Sequence, residues 1–322
     1  MDNDVVYIAG GVIRLHPAIT IGKRAAETPM GLAPLAPGYY LDAPSLHFVG
    51  LTWSCESRES ASSLRADMEK ALAAIPKAHF VIMANTEAEV WFLSRLGVPA
   101  ILANELMFID ESGFVVRDGG KKQFDAVYTA RLVPFKRHEL AARVQRLLLL
   151  HGQASESGKL RVKNLLPSAT FGNFAAGKYR RLAKLEVAEC VSSAKVGLAL
   201  SAEEGSMCAF MEYLLCGLPV VTTKARGGRA RFELTPFVRT VEADADEVAK
   251  AVRELVSEAI PPNAVREAAL SLLALERKRF MDAVDTIVKS TLGAVTPRLS
   301  FSSFQKMALS WRPAAEVLSS LA

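Results

Sequence analysis

Glu204 and Glu212 lie eight residues apart in a segment that also holds Gly205, Gly217 and Pro219. Carboxylates are good acceptors for hydroxyl groups, and two of them along one segment suit a polyhydroxylated ligand. On a helix, eight residues is roughly two turns, so the second acid falls on a similar face to the position eight before it. Upstream stand Arg131 and Lys136, five residues apart. Fixed cations of this kind stabilise negative charge on a ligand, and arginine adds a planar fork that matches phosphate. The chemistry these types can do together is to hold a polyhydroxylated, phosphate-bearing ligand.

The elements around these residues suit that task. Lys195 to Leu200 reads as a buried strand, residues 201 to 206 as a turn, and Met207 to Leu215 as a helix stopped by Gly217. Pro219 to Thr223 is the next strand. The turn leaves the backbone N–H groups of residues 205 to 208 free at a helix start, where anions bind. Gly205, Ser206 and Met207 are therefore candidate ligand contacts. Gly227-Gly228-Arg229 follows the second strand and is a candidate for the same pocket, against a plain loop. Arg131 and Lys136 follow the strand Ala126 to Ala130.

The wider pattern alternates strands and helices, which implies parallel sheets covered on both faces. Strands are expected at Val5 to Ile8, Leu46 to Trp53, His79 to Ala84 and Val98 to Ala103, with Leu160 to Leu166 a further strand. Helices are expected at Leu64 to Ala74, Glu87 to Leu96, Lys136 to Leu150, Leu182 to Ser193, Ala245 to Ala259 and 261 to 288. Residues 17 to 45 carry five prolines and read as loop. The polar stretch 110 to 120 marks a boundary. Two doubly wound α/β, Rossmann-like domains are expected, 1–120 and 121–288, followed by a basic tail, 289–322. The tail reads as a helix packed back on the body, with a membrane-surface contact as the alternative.

Bulk properties narrow the function class. Half of the 322 residues are hydrophobic and 23% are charged, the composition of a folded chain of two domains. The net charge of +5 suits phosphate ligands or an anionic surface. No basic stripe with spaced aromatics is present, so nucleic acid is excluded as a partner. The four cysteines form no Cys-x-x-Cys pair, and Met1 to Asp4 lack the start of a signal peptide; a reducing cytoplasm is expected. No metal site is expected. The five histidines are scattered, and Asp244-x-Asp246 lies far downstream at the start of a helix. No cofactor is implied.

Ser201, Glu204-Gly205, Glu212, Gly217, Pro219, Val220 and Val221 stand in the register of a known signature, Ser-x-x-Glu-Gly, a second Glu and a Gly-x-Pro-Val-Val strand. The segment resembles that of retaining, nucleotide-sugar-dependent glycosyltransferases of the two-Rossmann-domain GT-B class. Tyr128 to Lys136 similarly resembles the family's Gly-Arg-Leu-x-x-x-Lys turn, with Ala130 in place of the Gly, and Tyr213 stands where many members have alanine. The resemblance implies two domains facing a cleft. Glu204 would contact the donor sugar, Glu212 the ribose, and Arg131 and Lys136 the leaving diphosphate, with no metal. It also implies an N-terminal acceptor-side domain, a glycan or lipid-linked acceptor, and a role in cell-surface polysaccharide or glycolipid synthesis, in the cytoplasm or at the inner face of the membrane. Gly10, Gly11 and His47 are N-domain candidates, with a packed histidine the alternative for His47. Asn85-Thr86 and Asn104-Glu105 sit where relatives have the serine turn and the linker entry. A nucleotide-sugar 2-epimerase of the same architecture and a non-catalytic nucleotide-sugar-binding partner remain as alternatives.

Overall fold

The computed structural model describes residues 6–8, 12–16, 18–24, 30, 44–117, 122–175, 178–293 and 299–309. The chain forms two compact units, residues 1–110 with 274–322, and residues 111–273. The boundary expected near 120 thus lies at 110. Residues 274–288, assigned from sequence to the second domain, belong to the first. A single helix, Pro262–Leu292, runs through that second boundary without a break, so no composition shift marks it.

The first unit holds a six-stranded sheet in sequence order: β1 (Val6–Ile8), β2 (Val12–His16), β3 (Ile19–Lys23), β4 (Ser45–Gly50), β5 (Ala78–Ala84) and β6 (Ala100–Leu102). β1 to β3 pair antiparallel, and β3 to β6 pair parallel. Helices α1 (Arg58–Ala74) and α2 (Glu87–Arg95) begin at Ser57 and Thr86, whose hydroxyls cap them. Both helices cover one face of the sheet, where Val49, Phe80 and Ile82 meet Leu64, Met68 and Leu93. The other face is covered by the C-terminal helices. Phe48 packs edge-on to Phe304, which packs edge-on to Phe280. A buried alternation such as Phe48/Val49 is what a sheet covered on both faces requires. The expected tail helix is present as Phe301–Leu309 and packs back on this unit, with Phe301 stacked on Phe108. The loop expected over 17 to 45 contains β3 instead, because the β-branched run Ile19-Thr20-Ile21 pairs with β4.

The second unit has six parallel strands in the order β14-β13-β12-β7-β8-β9. They are β7 (Phe124–Thr129), β8 (Leu147–Leu150), β9 (Thr170–Phe171), β12 (Ala194–Ala199), β13 (Val220–Thr223) and β14 (Val238–Val241), with a small hairpin, β10 (Phe174–Ala175) and β11 (Lys178–Tyr179), between β9 and β12. Helices α3 (Glu156–Leu165), α4 (Lys184–Ser192) and α5 (Cys208–Leu215) lie between strands, and α6 (Ala245–Glu258) follows β14.

Two sequence expectations fail in this unit. Lys136 to Leu150 is not a helix. Arg137 adopts a left-handed conformation at φ 49°, which ends a 3-10 turn, and the buried run Leu147–Leu150 is β8. A short apolar run of this kind fits a buried strand as well as a helix. Leu160 to Leu165 lies in α3, capped by Ser155 and followed by the C-cap Leu166, with Val162 inward and Leu160 61% exposed. Leucine spacing there mimics strand alternation, while burial follows the helix.

Candidate active site

Strand order locates the site. β7 has β8 on one side and β12 on the other, both parallel to it, so the order in which strands are added reverses at the β7/β12 pair. Ligands of open α/β sheets bind beyond the carboxyl ends of the strands at such a switch point. The segments leaving β7 and β12 carry Arg131 with Lys136, and Glu204.

After β7 the chain makes a 3-10 turn, Pro134–Lys136. Tyr128, buried in β7, donates its hydroxyl to the Lys136 carbonyl and holds the turn over the strand end. Arg137 follows in the left-handed region, which costs a side-chain-bearing residue roughly 1–2 kcal/mol. Its guanidinium offsets this by donating to the carbonyls of Leu200 (2.6 Å) and Ser201 (3.0 Å) and to Thr223 Oγ1 (2.6 Å). One side chain thus ties the β7 turn to the ends of β12 and β13. Sequence reasoning missed Arg137, which there reads only as the neighbour of Lys136.

After β12 the turn carries Ser201 and Glu204. The Glu204 N–H donates to the Arg226 carbonyl (3.0 Å), and the Gly228 N–H to the Gly205 carbonyl (2.9 Å). Gly227 makes this closeness possible. It sits at φ 105°, and a Cβ there would lie 1.6 Å from the Glu204 carbonyl oxygen. Arg226 also pairs with Glu203 at 2.6 Å.

These turns bring Lys136 and Glu204 together as a buried ion pair, with the Ser201 hydroxyl donating to the same carboxylate oxygen, Oε1. Burial pushes the Lys136 ammonium down, Glu204 opposes that, and the like charges of Arg131 and Arg229 add to it. Arg131 is exposed and lies 5.4 Å from the centre of the Phe135 ring, free to meet an anion. Arg229 is buried, donates to the Thr223 carbonyl at 2.6 Å, and lies 3.8 Å from Met207 Sδ. It braces the turn while adding positive charge near Glu204, and burial lowers its pKa.

Helix α5 begins at Cys208, after Gly205, Ser206 and Met207. Glu212 stands on its second turn, half-buried, and its carboxylate has no hydrogen-bond partner among the described residues. Burial raises its pKa to about 7, with Lys184 opposing. Tyr213 is fully buried in the same helix and accepts a 2.6 Å bond from the Thr129 N–H.

In the first unit, Gly10 and Gly11 lie outside the described residues. His47 is a packed histidine. Its ring sits inside the sheet, bonded to Thr20 Oγ1 at 2.7 Å and Ser45 Oγ at 2.8 Å, and burial lowers its pKa to about 4. Asn85, Thr86 and Asn104 stitch strand ends together. Asn104 donates to the Asn85 carbonyl (2.9 Å), and Asn85 Oδ1 accepts from the Glu105 N–H (2.9 Å). Beneath them Glu89 is fully buried and accepts the N–H groups of Cys55 (2.8 Å) and Asn85 (2.6 Å). Sequence gave no sign of Glu89, whose spacing is that of an ordinary helical acid.

Residues 137–258 match the family model described as glycosyl transferases group 1. The matched residues lie within the second unit. Solved structures of similar fold agree. HepE from Anabaena, in complex with UDP, is 15% identical with a TM-score of 0.55, covering 75% of this chain and 72% of its own. AviGT4, a glycosyltransferase involved in avilamycin A biosynthesis, is 16% identical with a TM-score of 0.55, covering 85% of each chain. Sucrose-phosphate synthase from Thermosynechococcus elongatus is 16% identical with a TM-score of 0.52, covering 76% of this chain and 69% of its own. No curated protein sequence matches the chain. The family match points to a glycosyltransferase, and the structural neighbours share the two-Rossmann-domain GT-B fold.

Proposed function

We propose that the protein transfers a sugar from a nucleotide-diphosphate donor to a hydroxyl of a glycan or lipid-linked acceptor, with retention of anomeric configuration. The observation that carries this reading is the buried Lys136–Glu204 pair at the β7/β12 switch point, within a few residues of the exposed Arg131 and the start of α5.

In this reading Arg131 and Lys136 take the diphosphate, and the N-terminal end of α5, at Gly205, Ser206 and Met207, adds its positive dipole. Glu212 accepts the ribose hydroxyls, for which its unpartnered carboxylate is suited. Glu204, shared between Lys136 and Ser201, faces the donor sugar, and Gly228 and Arg229 support the turn behind it. The bond from the anomeric carbon to the phosphate oxygen breaks as the bond to the acceptor oxygen forms on the same face. The acceptor proton passes to the departing phosphate oxygen. Charge then gathers on the diphosphate, where fixed cations lower the barrier without a metal. Synthesis of cell-surface polysaccharide or glycolipid in the cytoplasm is the setting that belongs to this reading. The four free cysteines fit a reducing compartment.

A screen of nucleotide sugars for turnover, with water and with glycan acceptors, tests the reading. Turnover of one donor is expected, and it should fall by orders of magnitude in Glu204→Ala and Lys136→Ala. Turnover that survives both substitutions would sink the site assignment. Inversion at the anomeric carbon, read by NMR, would remove the same-face mechanism.

A further inference from the structure

A second surface feature lies on the first unit, on the helices rather than at the strand ends. Arg58 of α1 and Trp91, Phe92, Arg95 and Leu96 at α2 line a recess of about 350 Å³. Trp91 is 52% exposed, the most exposed aromatic side chain among the described residues. The Arg95 guanidinium sits 4.9 Å from its indole, and the Phe92 ring meets it edge-on at 4.8 Å. Neither Arg58 nor Arg95 has an ion-pair partner among the described residues. The acids on the two helices do not line the recess. Asp67 pairs with Arg24, Glu69 pairs with Arg65, Glu89 is buried and accepts backbone N–H groups, and Glu59 and Glu87 lie outside the described lining.

The composition of this recess selects its occupant. Two unneutralised guanidiniums call for an anion, most strongly a phosphate. Among the described residues the remaining lining is indole, phenyl and isobutyl, with no carboxylate, amide or hydroxyl to bind the hydroxyls of a sugar. An apolar floor with a cationic rim and an exposed tryptophan matches the interface of an anionic membrane. There the indole sits at headgroup depth and arginines meet lipid phosphates. Trp53, exposed in the segment just before α1, is the other exposed tryptophan among the described residues. No helix among the described residues is long and apolar enough to span a membrane, so contact through this face is peripheral.

We propose that the α1/α2 face of the first unit docks on an anionic phospholipid surface through Arg58, Arg95 and Trp91. This docking stands independently of whether the second unit transfers sugar, because it is read without catalysis.

Flotation of the full chain with phosphatidylcholine vesicles, with and without phosphatidylglycerol, tests it. The wild type is expected to float with the anionic vesicles and to release as salt rises. Two arginines at roughly a factor of five each predict about 25-fold weaker partitioning for Arg58→Gln/Arg95→Gln. Trp91→Ala should weaken it further. A chain with Trp91 as its only tryptophan (Trp53→Phe, Trp311→Phe) should be quenched by brominated anionic lipid. Circular dichroism of each variant separates lost docking from lost fold. A wild type that stays soluble with anionic vesicles overturns the proposal. So does a folded double variant that floats as well as the wild type. Binding through the same arginines to a soluble acidic polysaccharide, with none to vesicles, also overturns it in favour of a glycan.

Discussion

Lys136 and Glu204, 68 residues apart in the chain, meet as a buried ion pair between the turns that leave β7 and β12. Such a pair is a weak source of net stability, because both ions lose water to form it. Its parts are expensive to separate, since removing one leaves the other charged and buried. Lys136→Ala and Glu204→Ala are each expected to cost about 3–5 kcal/mol. The double variant should cost clearly less than their sum, a coupling read by a denaturant double-mutant cycle. Activity should behave differently. If both groups touch the donor, the double variant recovers stability and recovers no turnover. Additive stability losses would mean that the two groups do not depend on each other.

The closeness of Gly227 to Glu204 gives a second expectation. A Cβ at Gly227 would lie 1.6 Å from the Glu204 carbonyl oxygen, in a backbone conformation at φ 105°. Gly227→Ala therefore has to push residues 226–228 off the Glu204 turn, breaking the bonds from Glu204 N–H and Gly228 N–H. Gly97 is the control. It also has positive φ, at 71°, but a Cβ there meets nothing within 4 Å. Gly97→Ala should cost only the conformational strain, about 1 kcal/mol. Gly227→Ala should cost several times that in thermal stability and abolish nucleotide binding by calorimetry. Equal effects at the two positions would mean that the turn is not held by this contact.

The same contrast explains what the sequence made legible. The segment from Ala194 to Thr223 could be read because each part signals alone: a buried apolar strand, Gly205, a helix ended by Gly217, and a second apolar strand. Residues 136 to 150 could not, because the left-handed Arg137 carries no local signal and is held by acceptors more than 60 residues away. His47 drew attention as a histidine, yet its partners Thr20 and Ser45 lie on its own sheet. Glu89 drew none, yet it anchors two loops. Local pattern reports periodicity and turns. It does not report which polar side chains are consumed by the fold and which stay available to a ligand.

Tyr213 and Gly197 fit each other as a pair. A Cβ on Gly197 in β12 would lie 2.3 Å from Tyr213 Cδ2, so the ring occupies the space that glycine leaves. Gly197→Ala alone should be strongly destabilising through overpacking, by about 1–3 kcal/mol or more. Tyr213→Ala alone opens a cavity and costs about 3–5 kcal/mol, taking phenylalanine truncations as the guide. In the Tyr213→Ala background, Gly197→Ala should cost little, because its obstacle is gone. Tyr213→Phe probes the hydroxyl separately. It leaves the Thr129 N–H without its acceptor, worth about 1–3 kcal/mol if no water replaces it. Thermal denaturation of the four variants reads all of this. A Gly197→Ala penalty unchanged by Tyr213→Ala would contradict the fit.

Glu212 links site and pH. Its pKa is raised from 4.5 to about 7 because burial disfavours the charged form. Between those values the folded protein holds a proton that the unfolded chain has lost, so this group makes stability fall as pH rises through the window. Glu212→Gln removes the dependence. Its melting temperature should match the wild type near pH 4 and exceed it above pH 7. Binding should move the opposite way. A ribose hydroxyl donates more strongly to a carboxylate than to a neutral carboxyl group, so nucleotide affinity should rise with pH and level off above about 7. The phosphate's own ionisation is common to wild type and Glu212→Gln, so the difference between their titration curves isolates the side chain. A glutamine variant that is more stable yet binds more weakly above neutrality is the expected signature of a carboxylate kept for a ligand. One that is more stable and binds equally well would remove Glu212 from the site.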